Sequence, residues 1–470
     1  MTNPSPNTSY DASENYQLIP LNISPSVMFE KNGMKILSRG KNLIVNPDFE
    51  GASGNNLPAQ WSLDNSSGHI TATMYNDGFS GEFSFRISQT AAAVNTDRLA
   101  IRSNNSLAAN PNYGISVNAR VDMIGNAAAP ATFTVGLQLA DSVTYATYQT
   151  ILLTQTNLNA GWMRLSQQYG AAPANPVYIN IFVTNLPANW NAGANNYLQV
   201  TFSRPQYELS DIPGVNIIST PGIRKSDSGC VPTSAGIVRE PGHCNFGNST
   251  PNKIFSLDTS KDWGFFLELY PQINMAELVN VQSYLFAIDS HWHDDIPPYN
   301  GIQETHLYLD STGTLIYDHD STPDNNIANA NNPPAGVTST LQSVAGAFSS
   351  VNAYTRLRFS FWTDVINDAM HLKYQIGSNT PVIISGSAGS NPPLNMGILY
   401  RVNIGCDHPE VRNWQQNIAN ALFSYVHVEQ GLLNEQTADN FFAGNRRPFN
   451  IQSRFLFDGS IGVPFAQVPR

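Results

Sequence analysis

Charge is scarce in this chain of 470 residues: Asp, Glu, Lys and Arg make up 13% of it, roughly half the usual share for a globular protein. What charge there is leans acidic, with 24 basic against 35 acidic residues and a net charge of −11. No basic run interrupts that balance, which repels phosphate backbones and excludes electrostatic binding of nucleic acid. No apolar run reaches the roughly 18 residues that a membrane-spanning helix needs, which excludes membrane insertion by helices. Cysteine is nearly missing. Cys230, Cys244 and Cys406 are too few for a disulfide framework, and their odd number leaves at least one thiol free or paired between chains. The first forty residues contain no apolar h-region and no basic residue before Lys31, so they do not read as a secretory signal. No G-x-S-x-G elbow, phosphate loop or dinucleotide fingerprint is present.

What fills the chain is Asn, Ser, Thr, Ala, Gly and Pro around short runs of alternating or β-branched residues. HITATMY from His69, FSFRISQ from Phe83, GISVNARVDM from Gly114, TFTVGLQLA from Thr132, VYINIFVTN from Val177 and YLQVTFSRPQYEL from Tyr197 are strands by this pattern. A second series follows from Ile254: IFSLDTSKDWGFFLELYP, SYLFAIDS, THLYLDSTGTLIYDHD, RLRFSFWTD, MHLKYQIGSNTPVIIS, YRVNIGCD and ALFSYVHVEQ. The expected fold is all-β, two antiparallel β-sandwiches with extended N- and C-terminal arms. Boundaries fall at 1–40 for the N-terminal arm, 41–210 for the first sandwich, 211–253 for a Pro/Gly-rich joint, 254–445 for the second sandwich and 446–470 for the tail. The proline-punctuated arms are expected to dock on another chain.

NLIVNPDFEG from Asn42, with Trp61, the strand FSFRIS and the closing strand before Leu209, resembles the family 4 and 9 type carbohydrate-binding modules. The resemblance implies a jelly roll in which Phe49 and Trp61 are core residues. It also implies a structural calcium held by the acid after the opening Phe, here Glu50, and by an Asp in the final strand, where YLQVTFSRPQ offers none. The second series resembles concanavalin-A-like lectin and glucanase domains, particularly laminin-G-like ones. It carries an Asp310–Gly313 hairpin, RLRFSFW, Ile404–Gly405, and a closing helix with Asn434 as N-cap and Gly444 beyond its end.

That superfamily hosts both lectins and glycosidases, so the residues must decide. The hydrolases carry E-x-D-x-x-E on one strand, and the chain does not; Glu268 stands alone in FFLELYP. No catalytic residue is assigned. In Asp289-Ser-His-Trp-His-Asp-Asp295, strand alternation puts Asp289, His291, His293 and Asp295 on one side, either as a metal or sugar face or as a solvated loop. Asp318, Asp320 and Asp324, with Asp289, are the candidate calcium ligands; an Asx-rich turn is the alternative. No motif requires a cofactor, and calcium is the only ion for which ligands are nominated. Cys230, His243 and Cys244 supply three zinc-type ligands without a fourth, so a thiol pair or burial is the expectation. Pyranose faces stack on aromatic rings, each worth on the order of 0.5–1.5 kcal/mol. Tyr75, Phe79, Trp190, Trp292, Tyr299 and Trp414 sit in polar, turn-rich loops and are the candidate glycan contacts.

Glycan-binding-type sandwiches behind an N-terminus without an export signal fit a bacteriophage virion protein released by lysis. The expectation is a non-enzymatic structural protein of a tail fibre, baseplate or capsid decoration. It would be multicopy or homo-oligomeric, joined to other virion proteins through its arms, and able to contact host surface glycan. The alternatives are a polysaccharide-degrading virion enzyme acting through the second sandwich and a lectin-like bacterial surface protein.

Overall fold

The structure, a computed structural model, describes residues 11–12, 16–17, 21–23, 27–30, 33–51, 57–65, 70–75, 82–89, 98–103, 113–124, 133–143, 147–153, 158–159, 161–169, 175–185, 197–209, 222–225, 229–233, 236–239, 241–242, 244–247, 257–278, 282–289, 304–320, 338–387, 398–399, 401–406, 418–431, 434–444 and 454–458. Among them the regular elements are strands, save a 3-10 turn at Met275–Glu277 and a helix at Glu435–Phe442. No helix among them is long and apolar enough to cross a membrane. The chain divides into two compact units. One is continuous, Gly40–Arg239; the other is assembled from Met1–Arg39 and Glu240–Arg470. The first is therefore inserted into the second along the sequence.

The inserted unit is a β-sandwich. One sheet runs in the order Thr147–Leu153, Thr134–Asp141, Val177–Thr184, Arg98–Ser103, Trp61–Asn65. The other centres on Tyr113–Ile124, between Met163–Tyr169 and the long strand Tyr197–Leu209. Arg204 takes a left-handed backbone, φ 55°, and Pro205 follows it, so this long strand bends and serves two neighbours. Leu198–Ser203 pairs with Glu82–Gln89, whereas Glu208 pairs with Asn42. Alternation turns Leu99, Ile101, Val135, Leu137, Ile179 and Ile181 inward against Val117, Val200 and Phe202. Phe49 and Trp61 do lie in this core, ring centroids 5.2 Å apart, with the indole donating to the Asn46 carbonyl at 3.0 Å.

The discontinuous unit is a second sandwich. Its seven-stranded sheet runs Thr338–Gln342, Leu315–Asp320, Glu304–Leu309, Ser283–Asp289, Arg401–Ile404, Cys244–Gly247, Leu21–Ile23. The facing sheet runs Val382–Ser387, Ala369–Ile376, Leu357–Asp364, Trp263–Pro271, Ala421–Gln430, Gly33–Ile36, Met28–Glu30. Aromatic rings hold the two together: Tyr317 stacks on Phe361 at 4.0 Å and Phe265 meets Phe286 at 4.7 Å. The helix is capped as its sequence suggests, with Asn434 Oδ1 accepting from Thr437 N at 3.0 Å. Its Ala438 and Phe441 cover Phe266, Trp362 and Tyr425 on the outer face of the second sheet.

Three expectations about connectivity change. Residues 1–40 are not a detached arm: Leu21–Ile23, Met28–Glu30 and Gly33–Ile36 pair into both sheets of the discontinuous unit, and Val27, Met34 and Ile36 are core residues. In the tail, Arg454–Asp458 adds a strand to Ala421–Gln430. The joint 211–253 is divided between the units. Cys230–Thr233 and Gly236–Arg239 extend the inserted unit's sheet beside Gly40–Asn42, while Cys244–Gly247 belongs to the seven-stranded sheet. Strands of three to five residues with proline and glycine between them here combine local hairpins, Met28–Glu30 with Gly33–Ile36 and Cys230–Thr233 with Gly236–Arg239, with remote partners that draw each hairpin into a sheet.

Each unit ties together its own ends at the points where the chain passes from one to the other. Gly40 pairs with Arg239 in the inserted unit, and in the discontinuous unit Gly242 N donates to Leu37 O at 2.8 Å. Gly236, φ 128°, is required in the first of these because a Cβ would stand 2.4 Å from the Asn42 carbonyl oxygen. A unit whose ends pair with each other has no need of its host to close. Gly40–Arg239 expressed alone is expected to unfold in one cooperative calorimetric transition; a fragment without a transition would show that the boundary is misplaced.

Candidate functional site

The outer face of the five-stranded sheet of the inserted unit carries an unbroken polar ladder. Arg102, Asn180 and Gln138 stand opposite one another on three adjacent strands, flanked by Ser62 and Thr150. Asn180 and Gln138 each interrupt an apolar run, Arg102 follows Leu99-Ala-Ile101, and the period of two sends all three to the face opposite the core. Arg102 Nε donates to Asn180 Oδ1 at 2.9 Å, and Asn180 Nδ2 donates to Gln138 Oε1 at 2.9 Å. A terminal nitrogen of Arg102 also reaches Asp64 Oδ2 at 3.2 Å. The ladder is graded in exposure, from Asn180 at 1% through the Arg102 side chain at 22% to that of Asp64 at 40%.

Two aromatic residues border it. Tyr178 lies one outward position to one side, with the Arg102 guanidinium 5.6 Å from its ring centroid. Phe182 lies on the other side, paired with Ala100 and Gly136. Tyr178 is likewise paired with Ala140. Small cross-strand neighbours keep the sheet surface low beside each ring. A strip of planar donors and acceptors between two rings suits a neutral ligand that presents hydroxyls along its edges and C–H faces above and below.

The residues nominated from sequence fare differently. Phe79, Trp190, Trp292, Tyr299, Trp414, Asp324 and the His291–Asp295 run lie outside the described residues. Tyr75 ends the strand Ile70–Tyr75 opposite Ser84, and Asp320 ends Leu315–Asp320 opposite Glu304; their side chains also lie outside the description. Asp289 is not on a rim. It is 1% exposed, accepting from Arg401 Nε at 3.0 and 3.1 Å and from Asn403 Nδ2 at 2.7 Å. Asp318 pairs instead with His306 Nδ1 at 3.0 Å. Among the described residues no group of three or more His, Cys, Asp or Glu is placed to hold a metal. Near the opening strand of the inserted unit, Glu50 lies 3.5 Å from the Lys225 ammonium and Asp48 3.8 Å from the Arg224 guanidinium. A cation thus stands beside Glu50, the one acid that the resemblance nominates for calcium, and a second beside the neighbouring Asp48.

Cys230 sits in the inserted unit, whereas Cys244 and Cys406 are buried in the other. Burial, and then the neighbouring Cys406, push the Cys244 thiol well above its ordinary pKa, so it is inert. Glu268 is 1% exposed, accepting from Arg358 Nε at 3.1 Å and Ser424 Oγ at 2.8 Å.

Fold and face together define an all-β protein whose inserted sandwich has the chemistry of a sugar-binding surface. In agreement, residues 41–193 match the model of a carbohydrate binding domain family, and the whole ladder lies within them. No curated protein matches the chain. Among solved structures, the chain is similar to one described as "CBM4 structure and function", at 15% identity over 35% of this chain and 92% of that one, TM-score 0.21. It is similar to the tandem CBM22-1-CBM22-2 domain of Paenibacillus barcinonensis Xyn10C at 9% identity, covering 78% and 99%, TM-score 0.23. It is also similar to a tail fibre protein of an E. coli phage at 10% identity, covering 74% and 40%, TM-score 0.19.

Proposed function

We propose that the inserted unit binds a glycan chain along the outer face of its five-stranded sheet, and that the chain displays this module without acting as an enzyme. The observation that carries the reading is the ladder Arg102–Asn180–Gln138 between Tyr178 and Phe182, inside the segment that matches a carbohydrate binding domain. Planar amide and guanidinium groups bridge adjacent hydroxyls, and rings take up the C–H faces. Glu268, the one acid that invites a nucleophile's role, is spent on Arg358 and Ser424. The wider setting, a bacteriophage virion surface with host glycan as ligand, is supported by the charge-poor, hydroxyl- and amide-rich composition and by the pairing of two sandwich units in one chain. Many copies on a particle turn weak single sites into firm attachment.

The test is affinity electrophoresis of the full chain in gels containing soluble xylan, β-glucan or mannan. Arg102→Ala with Tyr178→Ala removes a charged hydrogen-bond donor and a stacking ring, worth together at least about 2 kcal/mol, or about thirtyfold in affinity. Both side chains are part-exposed, so thermal unfolding should shift little. Retention unchanged in that variant but lost in Trp190→Ala with Trp292→Ala would move the site to the loop aromatics.

A further inference from the structure

The second sheet of the discontinuous unit ends on the strand Val382–Ser387, which pairs on one side with Ala369–Ile376. Among the described residues nothing pairs with its other side. The strand is firmly placed. Gly377 N donates to Arg356 O at 2.8 Å, Asn379 N to Ile376 O at 3.1 Å and Gln375 Nε2 to Asn379 O at 2.7 Å, which close the turn that leads into it. Further along, Gly386 lies so near the opposite sheet that a Cβ would stand 2.8 Å from Leu341 Cδ2.

An edge strand offers its unpaired N–H and C=O groups to any strand that comes beside it, and folded proteins guard such edges with charge or proline. Other edges here carry a guard: Cys230–Thr233 holds Pro232, Met163–Tyr169 holds Arg164, and Arg454–Asp458 is charged at both ends. Val382–Ser387 has neither. Residues 374–400 contain no Asp, Glu, Lys, Arg or His, and Val382 and Ile383 are 45% and 41% exposed. The edge is apolar on both of its faces. Val382 and Ile384, opposite Tyr374 and Leu372, are on the core side. Ile383, opposite Lys373, is on the outer side, where that lysine pairs with Asp439 of the helix.

We propose that Val382–Ser387 is the docking edge of a homodimer, in which two copies of the chain pair this strand antiparallel about a two-fold axis at Ile383 and so join their sheets into one. The strand is complementary to itself. Directly opposite residues of an antiparallel pair share a face, so a two-fold axis passes a residue that meets its own copy. Centred on Ile383, the pairing sets Ile383 against Ile383 of the second copy on the outer side and Val382 against Ile384 on the core side, apolar against apolar at each exposed position. Charge agrees with it. A net charge of −11 works against self-association, but no like charges meet at this edge. The acidic turn with Asp364 and Asp368, at the Ser387 end of the strand, comes beside the neutral turn 377–380 of the other copy. The contact is small beside that of a permanent dimer, so it dissociates on dilution. It uses no residue of the inserted unit, and each dimer therefore carries two glycan-binding modules, whose weak sites act together.

Sedimentation velocity of the full chain over a range of micromolar concentrations is expected to show a reversible monomer–dimer equilibrium. Ile383→Glu stands opposite Lys373 within its own sheet and so keeps the fold, but it sets two carboxylates face to face across the axis. Dimerisation should weaken at least tenfold with thermal unfolding unchanged. The register has its own test, in chains carrying Cys230→Ser so that the half-buried native thiol takes no part. Ile383→Cys brings two thiols to a Cβ separation of about 5 Å, within reach of a disulfide, whereas Ser385→Cys leaves them about 13 Å apart along the strands. With copper-phenanthroline and oxygen as oxidant, Ile383→Cys should form the covalent dimer at least tenfold faster than Ser385→Cys. Should Ile383→Glu fail to fold, the cross-linking pair carries the result. A chain that stays monomeric at every concentration would overturn the proposal. So would a dimer that persists in Ile383→Glu, since the copies then meet elsewhere, or equal cross-linking through the two cysteines. Polysaccharide retention by the inserted unit is independent of each of these results.

Discussion

A chain lacking Met1–Arg39 is expected to lose the unfolding transition of the discontinuous unit while keeping that of the inserted one. Val27, Met34 and Ile36 are fully buried in the large core. At about 1.5–3 kcal/mol for each buried side chain, their removal costs roughly 5–9 kcal/mol, comparable with the 5–15 kcal/mol that holds a typical domain folded. The loss does not stop at side chains. Gly33–Ile36 covers Ala421–Phe423 on one sheet and Leu21–Ile23 covers Cys244–Phe246 on the other, so both sheets would gain a raw edge. The inserted unit begins at Gly40 and keeps every strand. Calorimetry of full-length and truncated chains, with the isolated Gly40–Arg239 fragment as the standard, should show one transition retained and one gone. Two intact transitions in the truncated chain would restore the reading of residues 1–40 as a docking arm.

That segment shows where sequence reasoning reached its limit. Strands such as Trp263–Pro271, Leu357–Asp364 and Val177–Thr184 announce themselves by long apolar or β-branched runs. The helix announces itself by Asn434 and by Gly444, φ 95°. Phe49 and Trp61 were legible as core through the resemblance to carbohydrate-binding modules, and both lie in the core of the inserted unit. Met28–Glu30 and Gly33–Ile36 are three and four residues long, too short for a period of two to be counted, and the strand that takes their hairpin into the sheet, Ala421–Gln430, lies hundreds of positions away. The insertion is hidden for that reason: nothing local in Gly40–Asn42 says that Gly236–Arg239 will lie beside it.

The face proposed here for sugar binding was not legible in the sequence, on related grounds. Loop aromatics are visible one at a time, so they attracted the functional reading. The ladder is made of single polar residues on three strands, and Arg102 and Asn180 are 78 positions apart. Each alone reads as an ordinary outward residue. The signal was there in TVGLQLA and YINIFVT, where one amide interrupts an apolar run, but only strand order shows that these amides are neighbours. The carboxylates tell the converse story. Asp289 looked like a rim ligand because it precedes a polar run, and Arg401, 112 positions later, takes it into the interior instead.

Arg358→Met is expected to destabilise the discontinuous unit by about 3–5 kcal/mol, because it leaves the Glu268 carboxylate buried without its cation. Arg358 and Glu268 are 7% and 1% exposed, and the guanidinium also reaches the Phe442 carbonyl at the end of the helix. The pair therefore joins two central strands to the helix that covers them. Desolvating two charges offsets most of what their attraction gives, so the double replacement Glu268→Leu with Arg358→Met should cost far less than the single one, about 1 kcal/mol or below. Denaturant unfolding of the four chains of this cycle measures the coupling directly. It also bears on the enzyme alternative. A catalytic glutamate has to be held where substrate reaches it, whereas a glutamate that can be exchanged together with its arginine at little cost in stability is part of the packing. If the double variant folds, and release of reducing ends from polysaccharide is absent from wild type and variant alike, Glu268 is structural. If wild type releases reducing ends and the double variant does not, the discontinuous unit is a hydrolase and the binding reading holds for the inserted unit alone.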